Sequence, residues 1–168
     1  MCSWSSDEPA RRKPHVIPDV IPDVIPEVIP DMLADVLLER VAPVADPLAD
    51  FFWRSGADGV LRILRCADCG YYVHPPSTPC PRCLSAKVGP EPVSGRAVVH
   101  TFTVNVQQWQ PGQPPYVIAI VELAEQEGLR LTTNVLGCPP DHVYIDQPVR
   151  VDFVARDELH YPVFRPTE

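Results

Sequence analysis

The chain has 168 residues, 45% hydrophobic and 21% charged, enough for one ordinary soluble domain with an appendage. Its net charge of −8 is uneven: residues 1–50 hold ten acids and four bases, while residues 51–168 stand at −2. No basic stripe is present to neutralise phosphates, no 18-residue window is apolar without charge or proline, and the opening MCSWSSDEPARRKPH lacks a signal peptide's apolar stretch. These features disfavour a nucleic-acid binder, a membrane partner and export. They lead us to expect a cytoplasmic, reducing compartment, where paired cysteines serve as metal ligands more readily than as disulfides.

Residues 1–30 read as a disordered or extended proline-rich tail. Within it Ile-Pro-Asp-Val units recur every four residues from Ile17 to Asp31, with Glu27 in the third. Proline at that spacing forbids a helix and removes ladder donors from any central strand. An extended, polyproline-like segment remains, either a spacer or a strand for a groove. Residues 31–58 read as two short helices. Asp31 caps the first, Asp31–Val41, whose stripe is Met32, Leu33, Val36, Leu37 and Val41. Asp46-Pro47 opens the second, which runs through Phe51, Phe52 and Trp53 to a C-cap at Gly56. Three consecutive aromatics cannot all face one core. We expect two to pack and one to stand exposed, with Phe52 and Trp53 as candidates to cover a ligand or partner.

From Gly59 the pattern turns to strands. Val60–Arg65 leads into the cysteines, and Arg96–Val106, Tyr116–Leu123, Leu129–Gly137 and Pro148–Ala155 follow, with Tyr161–Phe164 as an added edge. Pro139–Val143 fits one helical turn. About five strands in so short a stretch imply a small barrel or sandwich.

Cys66-Ala67-Asp68-Cys69 and Cys80-Pro81-Arg82-Cys83 are two C-x-x-C pairs ten residues apart. Each can form a knuckle whose thiolates point one way, and two facing knuckles supply a four-sulfur tetrahedron, the preferred site of structural zinc. Gly70 supplies the positive φ such a knuckle needs. Iron in a four-thiolate site would use the same ligands. A redox pair would need a βαβ context, which is missing. A closed four-thiolate site leaves no open position for catalysis. His74 reads as a loop histidine, Cys2 as a tail thiol and Cys138 as a loop thiol.

The order FFW, GVLRILRC, two knuckles, VSGRAVVHTFTV, PYVIAIVEL, GLRLTTNVLG and PVRVDFV resembles the acyl-CoA-associated OB-fold family with an N-terminal rubredoxin-like zinc ribbon. The likeness spans about residues 47–155. It rests most on the cysteine pairs, Ser94-Gly95-Arg96, Thr101-Phe102-Thr103, Thr133-Asn134 and Gly137. It implies a mainly β chain with a ribbon over residues 59–92 and a five-stranded OB barrel over 93–168. It further implies an accessory subunit that forms a hetero-oligomer with a thiolase-fold enzyme acting on acyl-CoA: a thiolase, an acyltransferase or a retro-aldolase, some relatives serving steroid side-chain degradation. The CoA thioester would then be the complex's substrate, with the catalytic acids and bases mainly on the partner. Two departures stand out. The loop Tyr144-Ile145-Asp146-Gln147-Pro148 lacks the family's usual glycine, and the first 46 residues lie outside the likeness.

Two other functions compete. Zinc ribbons and OB barrels also bind nucleic acid, and Tyr71, Tyr72, Phe102 and Trp109 are aromatics that could stack on bases. A stand-alone CoA-ester enzyme would draw on His100, Asn134, Asp141 and His142, which form no recognised acid–base set; a lone strand histidine such as His100 is most often a packing residue. The loop Gln107–Pro115 is too proline-rich to be regular and carries Trp109, which either folds over the barrel mouth or anchors in a partner.

Overall fold

The computed structural model describes residues 42–43, 46–109 and 111–167. The expected tail and the helix expected at Asp31–Val41 lie outside the described residues. Asp46 does open a turn: its carboxylate accepts from the Leu48 amide at 2.9 Å and its carbonyl from the Asp50 amide at 2.8 Å. Helix α1, Asp50–Arg54, is one turn long and passes into a 3-10 turn at Ser55–Asp58. Gly56 is therefore not the C-cap. That role falls to Gly59, at φ 76°, because the Asp58 carboxylate holds both the Val60 amide and the Arg62 guanidinium and draws the turn onward. Phe52 is buried, and Phe51 and Trp53 are half-buried against the same core, so none of the three aromatics stands exposed as expected.

A three-stranded antiparallel sheet follows, with β1 (Arg62–Cys66) between β2 (Tyr72–Val73) and β3 (Val88–Pro92). The remaining strands are β4 (Arg96–Asn105), β5 (Tyr116–Leu123), β6 (Arg130–Val135), β7 (Pro148–Arg156) and β8 (Leu159–Pro166). They close a barrel in the order β4-β5-β6-β8-β7, with β7 returning to β4 and β6 meeting β8 in parallel. This is the five-stranded OB arrangement. Tyr161–Phe164 is thus no edge. It lies inside β8, which pairs with β7 along its length and with β6 at Phe164, so closure removes the free edge. Pro140–His142 forms the expected short turn. His100 is the extra residue of a bulge in β4, between Val99↔Val121 and Thr101↔Ile120. It is exposed rather than packed, and the bulge bends the strand as a tight barrel requires.

The core joins both modules. Leu61, Ile63 and Val93, which flank or lie in the ribbon sheet, sit in one cluster with Val99, Val117, Val121, Leu131 and Phe164 of the barrel. Gln126, in the turn between β5 and β6, adds a polar clasp: its side chain accepts from the Tyr72 amide at 2.8 Å and donates to the Tyr72 carbonyl at 3.2 Å. The Ser94 amide bonds Glu125 at 2.6 Å. Ribbon and barrel therefore share a core rather than a hinge. Among the described residues, no helix is long and apolar enough to cross a membrane.

Gly56 shows how closely the 3-10 turn after α1 sits on β7 and β8. A Cβ there would run into the Phe153 ring and lie 2.6 Å from the His160 Cβ. Gly56→Ala should cost about 1–3 kcal/mol by overpacking, read as a lower unfolding midpoint in urea. Acid should loosen the same corner. The Arg62 hydrogen bond holds the Asp58 carboxyl down to about 2, from an ordinary 3.8. A lowered folded-state value means stabilisation that is complete above the unfolded value and fades as pH falls through the folded one. The melting temperature should therefore drop between pH about 4 and about 2, and Asp58→Asn should flatten that part of the curve.

Candidate metal centre and docking surface

Each C-x-x-C pair is a backbone turn closed by the amide of the residue that follows it. The Gly70 amide donates to the Cys66 carbonyl at 2.8 Å, and the Leu84 amide to the Cys80 carbonyl at 2.9 Å. Both closing residues are left-handed, Gly70 at φ 72° and Leu84 at φ 60°. β1 delivers Cys66 at its last position, and the Cys66 amide bonds the Tyr71 carbonyl on the return to β2. The Cys80 amide bonds the Ser85 carbonyl, and the Ala67 amide bonds the Lys87 carbonyl, so the two knuckles are laced together. Asp68 adds a side-chain tie, accepting from Ser85 Oγ at 2.7 Å and from Lys87 Nζ at 3.1 Å.

The result is a convergence of four sulfurs. Cys66 and Cys83 Sγ lie 3.5 Å apart, Cys69 and Cys80 Sγ 3.7 Å, and all four within 4.8 Å of one another. A tetrahedron with metal–sulfur bonds of about 2.3 Å has edges of about 3.8 Å, so the donor set fits a closed four-thiolate ion. The amide of Cys69, ahead of that of Asp68, pulls the Cys66 thiol down to about 6. Backbone donors thus favour the thiolate at Cys66, while at Cys83 the Ser85 amide is outweighed by the crowding of the other three sulfurs, which pushes the thiol up to about 12 in the metal-free cluster.

The other candidates part company. Phe52 is 4% exposed, its ring 5.0 Å from Trp53 and 5.2 Å from His74, and belongs to the core rather than to a surface. Trp53 is half-buried, its ring 5.8 Å from that of Tyr161. Trp109 stands out at 74% exposed; it does not fold over the barrel, and its amide bonds the Gln113 side chain at 3.0 Å. Asn134 is buried and donates to the Val117 carbonyl at 2.6 Å, which occupies it in the barrel wall. His100 lies on β4, whereas Asp141 and His142 are exposed in the short turn. Cys138 is half-buried, and burial pushes its thiol up, away from nucleophilic use.

Sequence reasoning missed three further exposed apolar side chains. Val98 is 40% exposed, and Tyr144 and Ile145 are 57% exposed on a loop tied to β4 by the Asp146 amide on the Val99 carbonyl at 2.8 Å. Asp146 takes φ 67° in that loop, so an aspartate occupies a left-handed position there.

The ribbon and barrel correspond to known domains. Residues 53–89 match the profile of the ChsH2 rubredoxin-like zinc ribbon domain, and residues 90–154 that of the ChsH2 C-terminal OB-fold domain. A solved chain of the Ltp2-ChsH2(DUF35) aldolase is 37% identical, with a TM-score of 0.67, over 74% of this chain and 98% of that one. This chain belongs to the ChsH2 (DUF35) family. Among curated relatives, a probable enoyl-CoA hydratase alpha subunit of Thermomonospora curvata is 39% identical over 118 residues, 69% of this chain and 36% of its own. The 3-oxo-4,17-pregnadiene-20-carboxyl-CoA hydratase alpha subunit of Mycobacterium tuberculosis is 34% identical over 119 residues, 70% of this chain and 37% of its own. The chain thus spans little more than a third of those two relatives. The ChsH2 zinc ribbon and its four cysteines together support a structural zinc.

Leu84 carries the strain of the second knuckle, with a side chain 76% exposed. Leu84→Gly should stabilise the metal-loaded chain by about 1 kcal/mol, the usual cost of a left-handed non-glycine residue. Its melting temperature should rise with metal content unchanged by elemental analysis.

Proposed function

We propose that this chain is the accessory subunit of an acyl-CoA enzyme, joining a thiolase-fold partner that performs retro-aldol cleavage of a CoA thioester. The observation that carries the reading is the match along 98% of a chain of the Ltp2-ChsH2(DUF35) aldolase. The described residues support a docking role. The cysteines form a closed set with no open position, and the remaining polar candidates are buried in the wall or scattered on the surface. In this reading Cys66, Cys69, Cys80 and Cys83 hold one zinc ion that fixes the ribbon, and the partner supplies the catalytic acid and base. For the acyl group, a steroid side chain is supported by the name of the Mycobacterium tuberculosis relative alone. The two hydratase alpha subunits favour a second reading, in which the same module serves a hydratase.

Within the complex, Trp109 and Val106, both exposed on the loop after β4, form the anchor. Co-expression with a thiolase-fold protein encoded beside this chain should give one zinc-containing complex by size exclusion, active in cleaving an acyl-CoA aldol. Separate elution with and without acyl-CoA, or turnover by this chain alone, would overturn the accessory reading. Trp109→Ala should weaken association about tenfold or more, with the melting temperature of the free chain unchanged. Cys83→Ser should release the metal and with it the complex; elemental analysis of the parent chain separates zinc from iron.

A further inference from the structure

The outer face of the barrel where β4 meets β7 has no part in the Trp109 anchor. β4 begins at Arg96 and the Trp109 loop follows its last residue, Asn105, so the two surfaces lie toward opposite ends of one strand. Arg96 and Arg150 stand opposite each other across β4 and β7, and Val98 and Pro148 are the next pair on the same face. All four are exposed. The loop before β7 continues the row. The Gln147 amide bonds the Tyr144 carbonyl at 3.3 Å, closing a tight turn, and the turn is fastened to Val99 through the Asp146 amide at 2.8 Å and the Gln147 carbonyl at 3.0 Å. It presents Tyr144 and Ile145, each 57% exposed, with the exposed Asp146 beside them and the exposed Asp141 just upstream. The face thus runs from two arginines, through four apolar residues, to two aspartates.

We infer that this face is the contact between two copies of the chain, related by a two-fold axis through the Val98–Ile145 stretch. Like charges directly opposite on adjacent strands repel, and the neighbouring acids do not relieve the arginine pair. Glu122, opposite Val98 on β5, holds Arg130 at 3.0 Å; Asp152 holds Arg165 at 2.6 Å; Glu125 accepts from the Ser94 amide. Glu168 lies outside the described residues. Among the described residues Arg96, Arg150, Asp141 and Asp146 make no ion pair. His100 and His142, both exposed, border the apolar stretch. In a two-fold contact a patch meets itself reversed, so cations at one end and anions at the other make it complementary to itself. The arginines of one copy then meet the aspartates of the other, twice over, around a shared apolar centre. An unrelated protein would need its own carboxylates and its own cations at this spacing, whereas a second copy supplies both. Eight residues a side, against the roughly 20–30 of a standard interface, make the dimer weak and concentration-dependent.

Sedimentation velocity of the full-length, metal-loaded chain from about 5 to about 500 µM tests this. A monomer–dimer equilibrium should appear in that range, and Ile145→Asp should abolish it. Arg96→Glu with Arg150→Glu should weaken it about tenfold, and so should Asp141→Lys with Asp146→Lys, the summed effect of four exposed charge pairs. An equimolar mixture of those two double variants should restore the dimer, because each reversed end then meets an opposite charge. Circular dichroism and metal content should match the parent throughout. A photo-crosslinking amino acid at Val98 should give a dimeric product joined within residues 96–98 or 141–150 of the second copy. A chain monomeric at every concentration, a mixture that associates no more tightly than its components, or a crosslink to residues 1–41 or to another face of the barrel would each overturn the inference. None of these outcomes depends on an acyl-CoA partner, so the inference stands or falls apart from the accessory-subunit reading.

Discussion

Strand β1 must satisfy two demands at once, and the architecture follows from that constraint. Its approach and first half bury Leu61 and Ile63 in the core shared with the barrel, while its last residue delivers the Cys66 thiol to the metal centre. Arg62 and Arg65 find their partners outside that core, the one in Asp58 and the other over the Tyr72 ring. A shift of one residue in register would point Ile63 outward and turn Cys66 away from Cys83 together. The metal centre therefore reports on the register of the barrel core, and the core in turn holds the knuckle in place. Below about 40 residues a ribbon cannot bury enough surface to stand alone. This one draws on both the sulfur cluster and the barrel.

How much of this was legible in the sequence depended on how local the signal was. The cysteine knuckles were legible because their geometry is set within five residues, with Gly70 announcing the left-handed turn. Tyr116–Leu123 was legible to the residue because strand alternation and flanking prolines agree there. β8 was read as an edge because its role depends on distant partners in β6 and β7. Gly56 was misread for a related reason: nothing local distinguishes a cap glycine from one that lets Phe153 and His160 approach. Leu84 and Asp146 also escaped notice, since neither is the residue type that a left-handed position advertises. Gln126 sits between two glutamates in the sequence, and only the fold brings it to the Tyr72 backbone.

The barrel's own geometry bears on what it can bind. OB barrels that bind oligonucleotides use the loop between their first two strands and the loop between their last two, over the face of the second and third. Here the last two strands, β7 and β8, are joined by a tight turn at Asp157 and Glu158, with Asp157 at φ 54°. Those two carboxylates face any approaching phosphate, and Glu158 already holds Arg54 at 2.7 Å. The other loop, after β4, carries Trp109 and prolines but no Lys or Arg between Val106 and Pro115. A phosphate backbone would thus find acid on one side and no base on the other, and would release few counterions in return. The exposed Trp109 indole offers a face for stacking but no charge to hold a phosphate beside it. The barrel keeps the OB topology, but neither of these two loops carries the Lys or Arg with which such barrels hold a phosphate backbone.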